Sequence, residues 1–431
     1  MTQVEERGPR HGSPFIEVLA RPGALQFSAA GFVGRMPMSM FGLGTVLLIA
    51  SVTGQYGLAG IVAGAGSVGY AVGAPQAARL ADRFGQRRVL RPQAVFFAVS
   101  TLALIGCAQW RAPLAALIVT GALAGASMPS VGSMVRARWS ALLGDSPLLH
   151  AAYSLESVAD EVIFVIGPAV VTLLATEVYP AAGVAVAMVA CVTGTLLFAA
   201  QRRTEPPARA ALARAAAPRK GGGAAAGAGP RPSGRAGVPA PGLVTLAPVY
   251  FCLGAMFAAI ELSTVDFAQE HGHKPLAGFI LGAYALGSAV GGLWYGARHW
   301  RAPLHRRFAI TLTLMTAGTA TFWAMPGLVP LAVVIVFCGL AIAPTLITGF
   351  SLVQAQAPES RRTEALAWLS SAVSVGVAAG SAAAGQVVDA GGARGGYVLA
   401  ACCGAAAVTV CLTGLRRLRL PGPAEWPDAE E

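Results

Sequence analysis

Five charged side chains stand inside apolar runs of this sequence, and its chemistry has to be sought at them: Arg35, Glu156, Asp160, Glu161 and Glu261. An ionisable group in hydrocarbon costs at least roughly 2.5–3.5 kcal/mol, so each needs a partner, a water-filled cavity or a task. Carboxylates set against an arginine can exchange a proton, because the pair breaks when the carboxylate is neutral and re-forms when it is charged. Arg35 lies about ten residues into the first run, or about 15 Å along a helix, next to Pro37, which frees backbone groups locally. Ser28, Gly31, Arg35, Ser39 and Gly42 repeat at the 3,4 spacing of one helical face, which should turn inward.

Glu156 and Asp160 are four apart and share a stripe with Gly167, while Glu161 is rotated by roughly 100°. Arg136 and Arg138 close the preceding apolar run on the same side, so a structural ion pair of Glu156 with one of them is expected. Asp160, one turn deeper, reaches a depth comparable with Arg35. Two roles therefore stand side by side: buried ion pairs that fix this half of the chain, and a direct proton or substrate role for Asp160 or Glu161. Glu261 shares a face with Gly254, Phe257 and Thr264, and Asp266, near a run end, is expected to be solvated. Met36, Met38 and Met40 supply adaptable thioethers for packing or for an apolar ligand.

Other chemistry lacks its parts. Gly64-Ala65-Gly66-Ser67-Val68-Gly69 spells GxGxxG, yet it lies inside an apolar run with no strand before it, so close helix packing explains it. Neither lysine follows a glycine, which removes a phosphate-binding loop and ATP as the energy source. His271 and His273 are too few for a metal, and HExxH and GxSxG are missing. The seven cysteines all fall in apolar segments with no ligand spacing, as buried thiols do. No cofactor, no metal and no enzymatic activity are expected.

Stepping outward from these residues, the elements that must hold them are membrane helices. Of 431 residues 55% are apolar and 12% charged, where a soluble domain carries about a quarter charged. Continuous apolar runs fall near 25–50, 57–78, 89–109, 113–135, 151–175, 181–200, 243–266, 276–297, 307–325, 328–350, 364–387 and 396–415. They are too long and too continuous for membrane β-strands. The gaps between them carry 27 basic residues on one side, against Arg111, Lys274 and Arg394 on the other. One missed span would destroy that bias, so it fixes the count at twelve and places both termini in the cytoplasm. The net charge of +11 is then a cytoplasmic rim and not a nucleic-acid surface. Trp110, Trp139, Trp300 and Trp323 fall at run ends, where interfacial anchors belong.

The predicted organisation is a cytoplasmic tail (1–24) without a signal-peptide core, a six-helix bundle (25–200), a disordered basic cytoplasmic linker (201–242) of Gly, Pro, Ala and Arg, a second six-helix bundle (243–415) and a cytoplasmic tail (416–431). Gly69–Gly73 recurs as Gly287–Gly291, and Met128-Pro129-Ser130 as Ala343-Pro344-Thr345, at nearly the same offset, which suggests two parallel halves. Only Lys220 and Lys274 are lysines and there is no asparagine, a codon bias that points to a GC-rich bacterial genome and a bacterial cell membrane.

Between the second and third runs stands Ala78-Arg79-Leu80-Ala81-Asp82-Arg83-Phe84-Gly85-Gln86-Arg87-Arg88. It resembles the loop signature of the major facilitator superfamily, with Ala78 for the leading glycine and Gln86 for the first arginine after Gly85. Residues 286–307 resemble a degenerate second copy in which Trp300 replaces the aspartate. Gly167-Pro168 is similar to the superfamily's antiporter-associated motif without its flanking glycines. The resemblance implies two six-helix bundles around a central cavity that rock between inward-open and outward-open states. It also implies a latch of Asp82, Arg83, Gly85, Arg87 and Arg88, with Asp82 facing the start of the eleventh helix near Thr363. The expected function is proton-coupled efflux of a small solute by a monomer in a lipid bilayer, with Asp160 or Glu261 carrying the proton and Arg35 favouring its charged form. Uptake of a sugar or organic acid, and a non-transporting membrane sensor, are the alternatives.

Overall fold

Turns between the helices, breaks within the first, fourth and tenth of them and a kink at one glycine together account for how the twelve runs become twelve helices. The structure, a computed structural model, describes residues 14–144, 146, 148–207, 241–296, 298, 300–356 and 362–419, with no strand among them. After a short helix, Pro14–Leu19, come α1 (Ala24–Thr53, interrupted at Met36), α2 (Tyr56–Phe84), α3 (Gln86–Gln109), α4 (Leu114–Leu143, interrupted at 128–130), α5 (Leu148–Leu173 with a π-turn, Leu174–Val178) and α6 (Ala182–Ala200). The second half has α7 (Pro241–Glu270), α8 (Leu276–Gly296), α9 (Leu304–Thr319), α10 (Leu328–Gly339 and Ile342–Gln356) and a stretch, Arg362–Thr413, that divides at Gly392 into α11 (362–391) and α12 (393–413). Gly392 has φ +65°, which lets the chain reverse there without ending its hydrogen bonding. Ten continuous stretches are long and apolar enough to cross a membrane. The stretch through Gly392 is one of them and holds two crossings, and α9, at 16 residues, is about 24 Å long.

The interruptions have local causes. Pro37 opens the second part of α1 and leaves Arg35 at the end of the first part. Met128 and Ser130 leave helical geometry on either side of Pro129 in α4, and α10 breaks just before Pro344 at the equivalent place. The two halves also repeat their packing. A Cβ on Gly69 or Gly73 of α2 would collide with the Ala122 or Ala126 carbonyl of α4, and one on Gly287 or Gly291 of α8 with the Val336 or Leu340 carbonyl of α10.

The bundles meet through α2 against α11 and α5 against α8, with close backbone contacts at the end opposite the arginine-rich turns. Gly60 and Gly64 lie against the Ser381 and Ala378 carbonyls, and Gly278 and Gly282 against those of Pro168 and Val165. Asp389, at the last turn of α11, seals this end: its two oxygens accept the Tyr56 backbone N–H at 2.7 Å and that of Gly57 at 2.6 Å. These are orphan amides of the first turn of α2, where a negative charge is favoured. The Tyr56 hydroxyl donates to Gln269 of α7 at 2.9 Å, and the Ala393 N–H donates to Glu270 at 3.1 Å.

Several expectations are corrected. Asp266 is buried and not solvated, because the sealed end closes over it. Trp139 is fully buried and no interfacial anchor, whereas Trp110 and Trp323 are exposed. Cys402 is exposed, unlike Cys191 and Cys411. The segment 201–207, expected to be linker, is packed: Thr204 is buried and the Glu205 carboxylate accepts the Arg87 N–H at 2.9 Å. Val18 of the N-terminal tail is buried beside α5, and Gln356 donates to the Arg417 carbonyl at 3.0 Å. The rest of the expected linker (208–240), residues 1–13 and residues 420–431 lie outside the described residues.

A side chain at Gly60 must push α11 away. Gly60→Val and Asp389→Ala are expected to lengthen the distance between spin labels at Gln55 and Gly391 and to broaden its distribution. An unchanged distance in both variants would show that these contacts do not hold the end shut.

Candidate functional site

Arg35, 2% exposed, is held by three acceptors at once, as its surroundings require. Its Nε donates to the Gly31 carbonyl at 3.1 Å, Nη2 to Glu156 at 2.5 Å and Nη1 to Asp160 at 2.7 Å. Glu156 is fully buried and also accepts from the Ser28 hydroxyl at 2.7 Å and the Trp139 indole N–H at 2.8 Å. The inward face predicted for α1 is the one that meets α5, since Ser39 donates to the Ile163 carbonyl at 2.9 Å.

The pairing expected of Glu156 with Arg136 or Arg138 is not the one formed. Arg136 bonds Asp160 at 2.8 Å, so Asp160 bridges two guanidiniums, one from α1 and one from α4. Arg138 points away from α5: it donates to Gln86 at 2.9 Å and to Thr204 at 3.2 Å, with its guanidinium 3.7 Å from the centre of the Phe198 ring. The helix geometry gives the reason. Arg136 and Arg138 are two apart and project to different faces, and only one face looks at the cavity.

Arg35, Arg136 and Asp160 line a cavity of about 400 Å³, with Tyr70, Ser130 and Ser370 on its other walls. Its walls come from α1, α2, α4 and α5 of the first bundle and, through Ser370, from α11 of the second. Asp160 keeps 17% of its side-chain surface and Arg136 41%, while Arg35 and Glu156 are sealed. Of the two carboxylates, Asp160 is therefore the one with surface open to the cavity. Met38 lines the cavity, whereas Met40 is buried in the core and Met36 packs against it.

The other candidates are dispersed. Glu161 and Glu261 are half-buried and have no hydrogen-bond or ion-pair partner among the described residues. Glu261 lines neither cavity found. The face it shares with Gly254 and Thr264 packs on α11 and α12, with the Thr264 and Tyr397 hydroxyls 3.1 Å apart. Gly167 and Pro168 form a seam, Gly167 against Ser39 of α1 and Pro168 against Gly278 of α8. In the loop motif, Gly85 turns the chain with φ +96°. Asp82 is exposed, and the start of α11 near Thr363 that it is implied to face lies outside the residues whose side chains are described. Arg83 lies over the Phe84 ring at 5.1 Å, and Arg88 is exposed.

A second cavity, of about 470 Å³, lies at the sealed end between Ser51, Glu177, Gln269 and Lys274. Burial lowers the Lys274 ammonium pKa from its usual value and nearby Asp266 opposes that shift.

Sequence reasoning missed three residues: Trp139 as a donor to Glu156, Ser130 as a cavity hydroxyl, and Asp389. A signal for the last was present. A carboxylate at a helix C-terminus opposes that helix's own dipole, and both Asp82 and Asp389 occupy such places, each suited to the N-terminus of another helix.

The fold is shared with solved transporters of low sequence identity. The nucleoside transporter NupG is 15% identical with a TM-score of 0.66, over 92% of this chain and 99% of that one. A bacterial homologue of the iron transporter ferroportin in an inward-facing state is 16% identical with a TM-score of 0.64, over 91% and 99%. The human organic anion transporter MFSD10 is 17% identical with a TM-score of 0.62, over 95% and 100%. No curated protein sequence matches the chain. The sequence profile of the Major Facilitator Superfamily matches residues 27–297 and 246–431, which together take in both bundles. With the twelve-helix architecture, the two parallel halves and the cavity between them, this multi-pass membrane protein belongs to the major facilitator superfamily.

Proposed function

We propose that the chain is a proton-coupled secondary transporter and that Asp160 is its proton carrier. One observation supports this most directly: of the two carboxylates that answer Arg35, only Asp160 is accessible from the cavity, and it is shared between helices α1 and α4. A proton arriving on Asp160 breaks two ion pairs at once and loosens α4 from α1 and α5, while Arg35 keeps Glu156. Titration is thereby tied to the packing of the bundle that has to rock.

The arginine-rich turns are read as cytoplasmic, so the cavity is inward-facing and Asp389 closes the outer end. In the opposite state Asp82 would take the start of α11 and Asp389 would let go of α2. A carboxylate at the C-terminal end of each helix of the α2–α11 pair would then latch one state each.

Two signs of coupling are compatible with this carrier. Export by antiport is supported by the Gly167-Pro168 seam, which joins the bundles where a rocking motion would pivot. Uptake by symport is favoured by the two arginines around Asp160, because they repel a cationic solute that would compete with the proton. Transport in proteoliposomes, with solutes first chosen by accumulation in a gene-deleted strain with and without a protonophore, separates the two signs.

In such vesicles Asp160→Asn is expected to retain solute exchange while its response to an imposed pH gradient falls about tenfold or more. Full proton-driven accumulation in that variant would remove Asp160 as the carrier. Glu156→Gln, by contrast, leaves Arg35 short of a counter-charge in a dry site. It is expected to destabilise the fold by about 3 kcal/mol, read as a lower melting temperature in detergent.

A further inference from the structure

The charges around Asp160 say what kind of solute the cavity can take. Its ionisable neighbours are Arg35 from α1, Arg136 from α4, and Glu156 and Glu161 from α5 itself. Helices α6 and α8, also packed on α5, carry no acidic or basic residue along their lengths, and the short helix beside α5 carries Glu17, paired with Arg21 at 3.8 Å. Arg35 has each of its three guanidinium nitrogens engaged, two of them by carboxylates. Arg136 differs: its one ion-pair partner among the described residues is Asp160, through Nη2 at 2.8 Å, and 41% of its side chain faces the cavity.

Neutralising Asp160 therefore has unequal effects on the two arginines. Arg35 keeps Glu156, whereas Arg136 is left, among the described residues, as a guanidinium without a counter-charge at a cavity wall. Such a group binds carboxylates strongly through paired N–H donors. A second feature of the same wall points to a ligand. The Ser130 hydroxyl, in a residue 9% exposed, is buried without a hydrogen-bond partner and lies at the break of α4, one helical turn and a half from Arg136. A buried hydroxyl left unmatched is unfavourable, and a ligand acceptor in the cavity would remove that cost. Ser133 is not available in the same way, since its hydroxyl already donates to the Ser130 carbonyl at 2.9 Å. Gly132 keeps the wall open between the arginines, because a Cβ there would stand 3.2 Å from Cδ of Arg35 and 3.9 Å from Nη1 of Arg136.

We propose that the cavity binds a small organic carboxylate on Arg136 and Ser130, and that a proton on Asp160 is what releases Arg136 to bind it. This rests on the reading of Asp160 as proton carrier. The step is a ligand exchange with one proton transfer. A proton from cavity water moves to a carboxylate oxygen of Asp160, the N–H···O bond from Arg136 breaks, and the substrate carboxylate accepts that N–H in its place. Proton and anion enter together and their charges cancel, so the coupling is symport and the net charge of the cavity is the same empty and loaded. A cation meets the reverse situation: the one accessible negative group is already held by two guanidiniums.

Equilibrium binding to the purified full-length chain in detergent tests this, with benzoate as probe and benzamide as its uncharged isostere. Benzoate should bind about tenfold tighter in mildly acidic than in mildly alkaline buffer, and benzamide should not respond. Asp160→Asn should bind benzoate tightly in both buffers. Arg136→Gln should lose benzoate in both, also in the Asp160→Asn background, and Ser130→Ala should weaken it several-fold. Equal binding of benzoate and benzamide, retention of benzoate by Arg136→Gln, or no benzoate binding by Asp160→Asn would each overturn the proposal. Should Arg136→Gln fail to fold, the pH-independence of Asp160→Asn decides alone. These outcomes are separate from the coupling reading: a chain that binds benzoate as stated, yet accumulates solute in proteoliposomes equally well with Asp160→Asn, keeps the anion site and loses the proton carrier.

Discussion

A guanidinium inside hydrocarbon is tolerated only when its charge is answered within hydrogen-bond reach, and the N-terminal bundle is organised around that condition at Arg35. The arginine ends the first part of α1, where Pro37 has interrupted the helix, and its donors reach the backbone of its own helix and two carboxylates of α5. Glu156 needs further donors, which come from Ser28 and from Trp139 at the far end of α4. The Trp139 ring packs on Phe27 with centroids 4.6 Å apart. Polar answer and apolar packing thus hold α1, α4 and α5 in one register. Because a dry interior leaves no water to substitute for a missing partner, the arrangement has little slack.

Asp160 departs from that pattern in being shared and partly wet. One of its oxygens belongs to the sealed network and the other to Arg136 at the cavity wall. A group that is both structural and accessible can convert a change of protonation into a change of packing. The interior charges then divide by exposure: Arg35 and Glu156 form a fixed frame, and Asp160 and Arg136 are the part able to rearrange.

At the level of the two bundles, small residues let backbones touch at the sealed end, and Asp389 adds a charged contact to the first amides of α2. At the other end of α2, Asp82 is exposed. One helix pair therefore supplies a carboxylate at each end of the molecule, placed against its own helix dipole and suited to its neighbour's.

The twelve helices, the inward face of α1, the loop motif and the parallel halves were legible in the sequence, because each follows from a local rule: hydrophobic run length, helical period, turn glycine and repeated small-residue spacing. Glu156 could also be recognised as needing an arginine, and Arg35 and Asp160 as charges near one depth. Their matching could not be read there. Spacing gives a residue's depth and face, but the partner depends on how helices are rotated and crossed, so Glu156 went to Arg35 and Arg136 to Asp160. The same holds for burial near the ends of the apolar runs, where Trp139, Asp266 and the segment around Thr204 looked like surface and are enclosed in the fold. Sequence alone determined which charges had to be answered, since the cost of a charge in hydrocarbon is a local property of the run that contains it. Only the tertiary structure decided which charge answers which, and which one stays within reach of the cavity, because those depend on distances of a few ångströms between helices that no single helix specifies.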